Sequence, residues 1–276
     1  MKLKSFINQF NEKLPALTKI EEKIARFILE NPESAVKMSV QLLAEKAGAA
    51  PSTVIKMCRK LGFSGFSELK LTLASEINLA LSRNVNFDDL QSTFGNYNGF
   101  VAELIEAELA HLKSEELEKA SKILSDARYV DIYSFGFDSI EGLDLYHKLV
   151  LLGKRVQHIE NGYMQMISAS RLKEGDAVIA ISSTGTSRDL HAAVKHAKHF
   201  KAKVISIAPE SSILSEEADV SLSTYFKKLI LRDGGIATRI VQAFVIDELF
   251  IRVLKRDEKA KEYYEKFKEV LDLKRR

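Results

Sequence analysis

The segment ISSTGTSRD, residues 181–189, gathers hydroxyl side chains around one glycine between a strand-like run (DAVIA) and a helix-like run (LHAAVKHAKHF). A helix start offers unpaired N–H groups and a partial positive charge, so it attracts anions. Hydroxyls of Ser182, Thr184 and Ser187 would add hydrogen bonds. Gly185 would let the backbone approach closely. These residues predict a phosphate site; the alternative is an ordinary capped helix with solvent-facing serines.

Alternating strand and helix patterns from about residue 127 position this segment. The candidate strands are β-branched-rich runs: YVDIYSFG, RVQHIE, DAVIAISS, AKVISIAP and DVSLSTY. Strands separated by helices form βαβ units, which build a mostly parallel sheet covered on both faces. Such sheets bind ligands at the carboxyl ends of their strands. We therefore predict a doubly wound parallel α/β domain, flavodoxin-like or Rossmann-like, with the hydroxyl-rich segment at that edge.

Residues 1–80 show helical periodicity and no convincing strand. Thr18 and Glu21 have capping-box spacing at the start of LTKIEEKIARFILENP, and Asn31-Pro32 would end that helix. Its expected apolar face consists of Ile20, Ile24, Phe27 and Ile28. The N-terminal segment is therefore predicted to be all-α.

Two further short helices, SVQLLAEKAG and PSTVIKMCRKLG, would meet at a tight turn containing Gly48. Ser39 is expected to cap the first helix, while Pro51 and Gly62 would begin and end the second. This is a helix-turn-helix layout, in which the second helix enters the major groove of DNA. The expected apolar side consists of Leu42, Leu43, Val54, Ile55 and Leu61, and the candidate DNA-binding residues are Ser52, Thr53, Lys56, Arg59 and Lys60. The alternative is a helical bundle that only supports dimerisation.

Charge and composition narrow the class of protein. The chain of 276 residues has a net charge of +3, and residues 1–80 alone carry an excess of four positive charges. This bias suits a DNA-binding module. The single cysteine, Cys58, excludes an internal disulfide framework, and no apolar run is long enough to span a bilayer. We expect a soluble, cytoplasmic protein with no contact with membranes.

The composition also suggests domain boundaries. Residues 82–100, SRNVNFDDLQSTFGNYNGF, are rich in Asn, Ser and Gly. We predict a helix-turn-helix domain over 1–80, a linker over 81–105 and a ligand-binding α/β domain over 106–276.

The N-terminal motif resembles a known family. The run AEKAG…STV…CRKLGFSGFSELK is similar to the DNA-binding domain of RpiR-type bacterial transcription regulators. That family often opens its recognition helix with a hydroxyl cap, whereas this chain has Ala50 there, which loses a cap worth about 1 kcal/mol. Cys58 falls on the cysteine usual in that helix, and we interpret it as a small core residue.

Residues 127–255 resemble a SIS (sugar isomerase) domain, and ISSTGTS matches its Ser-x-Ser/Thr-Gly-x-Thr/Ser phosphate loop. The resemblance implies that Ser182, Thr184, Gly185 and Ser187 bind an effector phosphate. The chain departs from the family after its first strand. A Gly-x-Gly-x-Ser-like turn is usual there, but the chain reads SFGFDSIEG, with Asp138 at the second glycine and Ile140 at the serine. The possible further effector contacts are Gly136, Ser139 and Asp233.

Together the two resemblances imply a DNA-binding regulator of sugar metabolism that senses a phosphorylated sugar. Its expected partners are a double-stranded DNA operator, the phosphorylated sugar, and further copies in a homodimer or homotetramer. The alternative is a sugar phosphate isomerase with an accessory domain, whose candidate bases are Asp138, Glu160 and Asp233. None of these acids sits in a recognisable catalytic motif, so we expect a non-enzyme without a cofactor. We expect no metal site, because His191, His196 and His199 do not share one helical face.

Overall fold

The computed structural model describes Phe10 and residues 13–36, 38–83, 97–210, 212–224 and 236–274. Its helices are α1 (Lys19–Glu30), α2 (Pro32–Val36), α3 (Val40–Ala47), α4 (Pro51–Lys60), α5 (Phe66–Arg83), α6 (Tyr97–His111), α7 (Ser114–Asp126), α8 (Asp138–Leu151), α9 (Gly162–Ala169), α10 (Arg188–His199), α11 (Ile213–Glu217), α12 (Ile236–Arg256) and α13 (Glu258–Lys274). Its strands are β1 (Val130–Tyr133), β2 (Val156–Ile159), β3 (Ala177–Ile181), β4 (Lys203–Pro209) and β5 (Val220–Thr224).

The chain divides into two compact units, Met1–Val85 and Asn86–Arg276. The predicted linker, 81–105, overlaps residues that lie outside the described ranges. The boundaries 1–80, 81–105 and 106–276 remain predictions. In the part of the chain that the structure describes, no helix has the length and apolar character needed to cross a membrane.

The first unit is helical, and its predicted helix ends are confirmed. Thr18 and Glu21 form both hydrogen bonds of a capping box at the start of α1. Ser39 caps α3, which ends at Gly48 with a left-handed φ of 67°. Ala50 provides no side-chain cap to α4, whose first residue is Pro51.

The core of this unit lies among α1, α3, α4 and α5. Its fully buried members include Ile24, Leu43, Val54, Met57 and Leu69. Cys58 is also fully buried, and burial raises the pKa of its thiol to about 12. The cysteine is therefore an unreactive core residue, as interpreted from the sequence.

Two residues of the apolar faces expected from the sequence are exposed and do not belong to the core of this unit. Ile20 is 51% exposed and Leu42 is 41% exposed. Helical periodicity defines a stripe of residues but not its edges, which depend on the neighbouring helices. Beside Ile20, the buried position is taken by the charged residue Glu21, which α4 reaches through Lys60.

The second unit confirms the predicted doubly wound α/β fold. In the described residues its strands form one parallel sheet in the order β2-β1-β3-β4-β5. The chain winds from β1 outward to β2, then returns past β1 to β3 and continues to β5. The winding direction therefore reverses between β1 and β3, and the crevice at their carboxyl ends is where ligands bind in such folds.

Helices cover both faces of this sheet. On one face, residues from α7, α8 and α12 pack against alternate residues of the strands, including Ile132 and Ile179. On the other, α9, α10 and α11 pack against Tyr133, Val178 and Ala180. All of β3 is buried. This double cover fixes the strand ends from which the candidate site extends.

Candidate functional site

The hydroxyl-rich loop follows β3 directly and is held by its own hydrogen bonds. The backbone N–H of Ser182 donates to the Ile207 carbonyl of β4 over 3.0 Å, so the ladder continues past β3. The Ser182 hydroxyl accepts from the Gly185 N–H over 2.9 Å and is buried. A hydroxyl that accepts one bond retains its own proton for donation. Ser182 thus folds the loop and keeps a donor.

The other predicted hydroxyls also line this loop. Ser187 is the N-cap of α10, and its hydroxyl accepts from the Leu190 N–H over 3.4 Å. The Thr186 hydroxyl donates to the Thr184 hydroxyl over 3.1 Å. Both threonines are partly exposed. The loop therefore brings hydroxyls and the first N–H groups of a helix into one short segment. Thr186 joins this set, although the sequence reasoning did not include it.

Gly185 fits this loop because no other residue would. Its φ is 63°, in the left-handed region that favours glycine. A Cβ atom there would lie 2.3 Å from the Ser212 side chain. The Gly185 carbonyl accepts from the Leu214 N–H at the start of α11 over 3.2 Å. The glycine thus holds the loop close to α11.

The turn between β1 and α8 faces this loop through Asp138, the first residue of α8. One oxygen of its carboxylate, Oδ2, accepts from the N–H of Ser183 over 2.9 Å and from the hydroxyl of the same residue over 3.1 Å. These bonds join the two strand ends that flank the reversal in winding. Gly136, which precedes Asp138, has a left-handed φ of 56° and is exposed. The sequence reasoning missed Ser183, although it lies between two predicted contacts.

Ser139, another predicted contact, belongs to a buried polar cluster. The Ser134 hydroxyl donates to the Ser139 hydroxyl over 3.4 Å and lies 2.7 Å from His158 Nε2. A Cβ atom on Gly142 would lie 2.5 Å from both Ser134 Oγ and His158 Nε2. Burial lowers the pKa of His158 more than the nearby Glu160 carboxylate raises it, so the imidazole is neutral at pH 7.

Two hydrogen bonds also join α8 to α12 beside this cluster. The buried Gln242 donates from Nε2 to Asp138 Oδ1 over 3.0 Å. Arg239 Nε donates to the Glu141 carboxylate over 3.2 Å. Burial raises the pKa of Glu141, and the Arg239 charge offsets only part of that rise. The start of α8 is therefore anchored both to the loop after β3 and to α12.

The remaining sequence-predicted residues are not part of this cluster. Asp233 lies outside the described residues. Glu160 is exposed, 3.7 Å from His158 Nδ1. His196 and His199 stack on each other on α10, while His191 lies 3.5 Å from Glu217. Within the ranges that the structure describes, no group of three or more His, Cys, Asp or Glu side chains is arranged to hold a metal ion.

The candidate DNA-binding residues lie on α4, where the buried and exposed faces separate cleanly. Ser52, Lys56 and Arg59 are exposed, and Thr53 is partly exposed. Lys60 differs from them, because its ammonium group lies 2.7 Å from the buried carboxylate of Glu21. Lys56 and Arg59 thus lie on the surface, and Lys60, whose side chain is 43% exposed, lies there too but also pairs α4 with α1.

Comparisons with known protein families match both units. The helix-turn-helix domain of the rpiR family matches residues 4–79, and the SIS domain matches residues 123–252. The two matches follow each other in the order that the sequence motifs predicted.

Known relatives share this organisation. An HTH-type transcriptional regulator of Caldanaerobacter subterraneus is 31% identical over 268 residues, 94% of each chain. The bifunctional protein Glk of Burkholderia mallei is 31% identical over 246 residues, which are 86% of this chain but 38% of Glk. The structure of Vibrio vulnificus NanR complexed with ManNAc-6P has a similar fold, with a TM-score of 0.69 at 22% identity over 96% of this chain and 97% of NanR. On these matches the chain belongs to the RpiR family of helix-turn-helix transcriptional regulators and carries a SIS domain.

Proposed function

We propose that this protein regulates transcription by binding operator DNA through α4 and that a phosphorylated sugar, bound at the carboxyl edge of its sheet, controls this binding. The observation that carries the proposal is the hydroxyl-lined loop at the reversal in winding between β1 and β3. The helix-turn-helix unit supplies the DNA-binding half. The proposed activity takes place in the cytoplasm, where the DNA is.

The effector phosphate would bind at the start of α10. Ser182, Thr184 and Ser187 offer hydroxyls there, and the left-handed Gly185 gives the loop the turn that brings them together. Charge-assisted hydrogen bonds contribute about 1.5–3 kcal/mol each, so three or four contribute about 4.5–12 kcal/mol before the entropic costs of binding, and contacts to the sugar must add to them for micromolar affinity. The similarly folded NanR was solved with ManNAc-6P, a phosphorylated sugar. Gly136, Ser139 and Asp233 would be further contacts.

DNA would bind at the exposed face of α4. Ser52, Thr53 and Lys56, in its first turns, would face base edges or phosphates. Arg59 would contact a phosphate. Lys60, predicted from sequence as a further DNA contact, pairs with Glu21, and we propose that it orients α4 instead.

We propose a sensor and not an isomerase, and a solved sugar isomerase domain with a similar fold is itself part of an RpiR transcription factor. Isomerisation needs a general base within reach of the sugar carbons. The carboxylate of Asp138 is engaged by Ser183 and Gln242, and Glu160 lies beside His158 at the surface. Binding without turnover accounts for both arrangements; the third candidate base, Asp233, lies outside the described residues.

The protein would act as a homo-oligomer, because two copies of α4 are needed to read a near-palindromic operator. An exposed apolar face of α8 supports the formation of a homo-oligomer. Ile140, Leu143 and Val150 share that face and are each nearly half exposed. Burying this face against a second copy would remove the apolar surface from water. We therefore propose α8 as part of a homodimer interface.

The test is a double variant, Ser182→Ala with Thr184→Ala, which removes two hydroxyls and leaves α4 intact. Binding to DNA upstream of the protein's own gene would be measured by gel shift, with and without a panel of sugar phosphates. We expect unchanged DNA affinity and loss of the response to the sugar. Ser170→Ala, which removes an exposed hydroxyl at the end of α9, is the matched control. A response that survives in the double variant would show that the effector binds elsewhere.

A further inference from the structure

The carboxylate of Asp138 occupies both donors of Ser183, which lies between two residues proposed to bind the effector phosphate, Ser182 and Thr184. Its Oδ2 atom accepts from the Ser183 N–H over 2.9 Å and from the Ser183 hydroxyl over 3.1 Å. Ser183 is the second residue of the hydroxyl-rich loop, and it is buried. A carboxylate that accepts one N–H and one O–H makes the same type of contact as a phosphate oxygen in such a loop. Asp138 is therefore an anion supplied by the protein itself.

The surroundings of Asp138 contain further acceptors. Glu141, one turn further along α8, is buried, and its Oε2 atom has no hydrogen-bond partner among the described residues. The same holds for the Oε1 atom of the buried Gln242, whose amide nitrogen donates to Asp138. Glu141 is paired with Arg239 of α12, so the negative charge that a phosphate approaching Ser183 meets is that of Asp138. Like charges in a site of low dielectric repel strongly.

We propose, on the basis of the function proposed above, that Asp138 is an internal competitor of the effector phosphate and sets the affinity of the site. In the protein without effector, Asp138 holds the Ser183 donors. An effector gains them only by displacing the carboxylate, so a phosphate group alone binds weakly and the sugar must add contacts to bind tightly.

Displacement of the Asp138 carboxylate by the effector would also change contacts outside the loop. Asp138 is the first residue of α8, and its second oxygen is bound by Gln242 of α12. Release of the carboxylate from Ser183 therefore changes a contact at the start of α8 and another on α12. The exposed apolar face of α8, assigned above to the homodimer interface, begins two residues further on, at Ile140. The competitor thus lies between the effector loop and the surface through which the copies would communicate.

The test compares three variants of the full-length chain by isothermal titration calorimetry. Asp138→Asn removes the charge and keeps the shape, and Asp138→Ser removes the competing group altogether. Asp144→Asn is the matched control, because it removes the same charge from the same helix at a residue paired with Lys148. The probes are inorganic phosphate and N-acetylmannosamine 6-phosphate. We expect both Asp138 variants to bind inorganic phosphate at least about tenfold more tightly than the unaltered protein, the effect of one like charge removed from a site. Asp144→Asn should change nothing.

The outcomes separate the two proposals. If the unaltered protein binds the sugar phosphate and both Asp138 variants bind inorganic phosphate no more tightly than it does, the competitor proposal is overturned and the proposed function stands. Weaker binding of the sugar phosphate by both variants would then identify Asp138 as a contact of the sugar. If neither probe binds to the unaltered protein or to any variant, the competitor proposal is overturned, while the proposed function is decided separately by the gel-shift panel of sugar phosphates.

Discussion

Lys56 and Lys60 lie about one turn apart on α4, but the structure gives them different tasks. Lys56 is exposed, and within the described residues it forms no ion pair. Lys60 pairs with the buried Glu21. A lysine at a DNA phosphate releases about one counterion, so Lys56→Ala should lower operator affinity and reduce the slope of log K against log salt by about 1. Fluorescence anisotropy with labelled operator across a series of KCl concentrations measures that slope.

Lys60→Ala is the matched control, since it removes the same side chain from the same helix. We expect it to leave the salt slope close to that of the unaltered protein and to lower the stability of the N-terminal unit. A salt slope that falls equally in both variants would mean that Lys60 leaves Glu21 and contacts DNA. An unaltered slope in Lys56→Ala would exclude Lys56 from the phosphate contacts.

Single residues of the site were predictable where their role is local. Gly185 and Ser187 were selected from the sequence as effector contacts, and the structure adds a left-handed φ for Gly185 and a capping role for Ser187, both of which involve neighbours a few residues away. The bond between Asp138 and Ser183 joins residues 45 positions apart, and the sequence could place Asp138 near the site without identifying its partner. Contacts of this kind depend on which strands are adjacent and on the register between them.

At the scale of elements, the tie between α1 and α4 makes the N-terminal unit sensitive to acid. Burial alone would raise the pKa of Glu21, but hydrogen bonds from Lys60 and Thr18 and the Lys60 charge outweigh it, so the pKa is lowered. Ionised Glu21 therefore stabilises the fold above its unfolded-state pKa, about 4.3, and this stabilisation is lost as the pH falls through the lower folded-state pKa. Glu21→Gln should reduce the loss of stability of this unit below about pH 4.3.

The buried Cys58 provides the measurement, because it is the single cysteine of the chain and lies in the core of this unit. Its labelling by dithiodipyridine, which reacts in acid, reports the urea concentration at which the unit opens. Glu22→Gln is the control, since Glu22 forms an exposed pair with Arg26 on the same helix. An equal dependence on pH in Glu21→Gln and in the unaltered protein would show that another group causes the acid sensitivity.

Elements whose signals are local were predicted well. The capping box of α1, the cap of α3 and all five strands of the described sheet were assigned from sequence and are confirmed. The exposure of Ile20 and Leu42 was not foreseen, because an apolar stripe on a helix does not show how far its neighbours extend over it. The order of the strands required the three-dimensional structure, since a βαβ pattern fits several doubly wound orders.

For the whole molecule, the division into a helical and an α/β unit separates DNA binding from effector binding. The relative from Caldanaerobacter subterraneus keeps both parts over 94% of its length. Because DNA binding and effector binding are assigned to different units, each can be impaired without the other. We therefore expect the loop variants to lose the response to the effector and the α4 variants to lose DNA affinity. Coupling between such sites typically amounts to about 1–3 kcal/mol, enough for a several-fold or larger change in operator occupancy.

The last prediction concerns assembly and follows from the apolar face of α8. Leu143→Glu places a charge at the centre of that face, between Ile140 and Val150, where burial against a second copy would desolvate it. We expect the variant to sediment as a monomer and to bind a full operator at least about tenfold more weakly, because one copy of α4 loses the effective concentration that pairing provides. Val270→Glu is the control, since Val270 is equally exposed but lies on α13. If Leu143→Glu remains dimeric while Val270→Glu dissociates, the copies associate through the C-terminal helix. The proposal that Asp138 acts on the interface through α8 would then be contradicted.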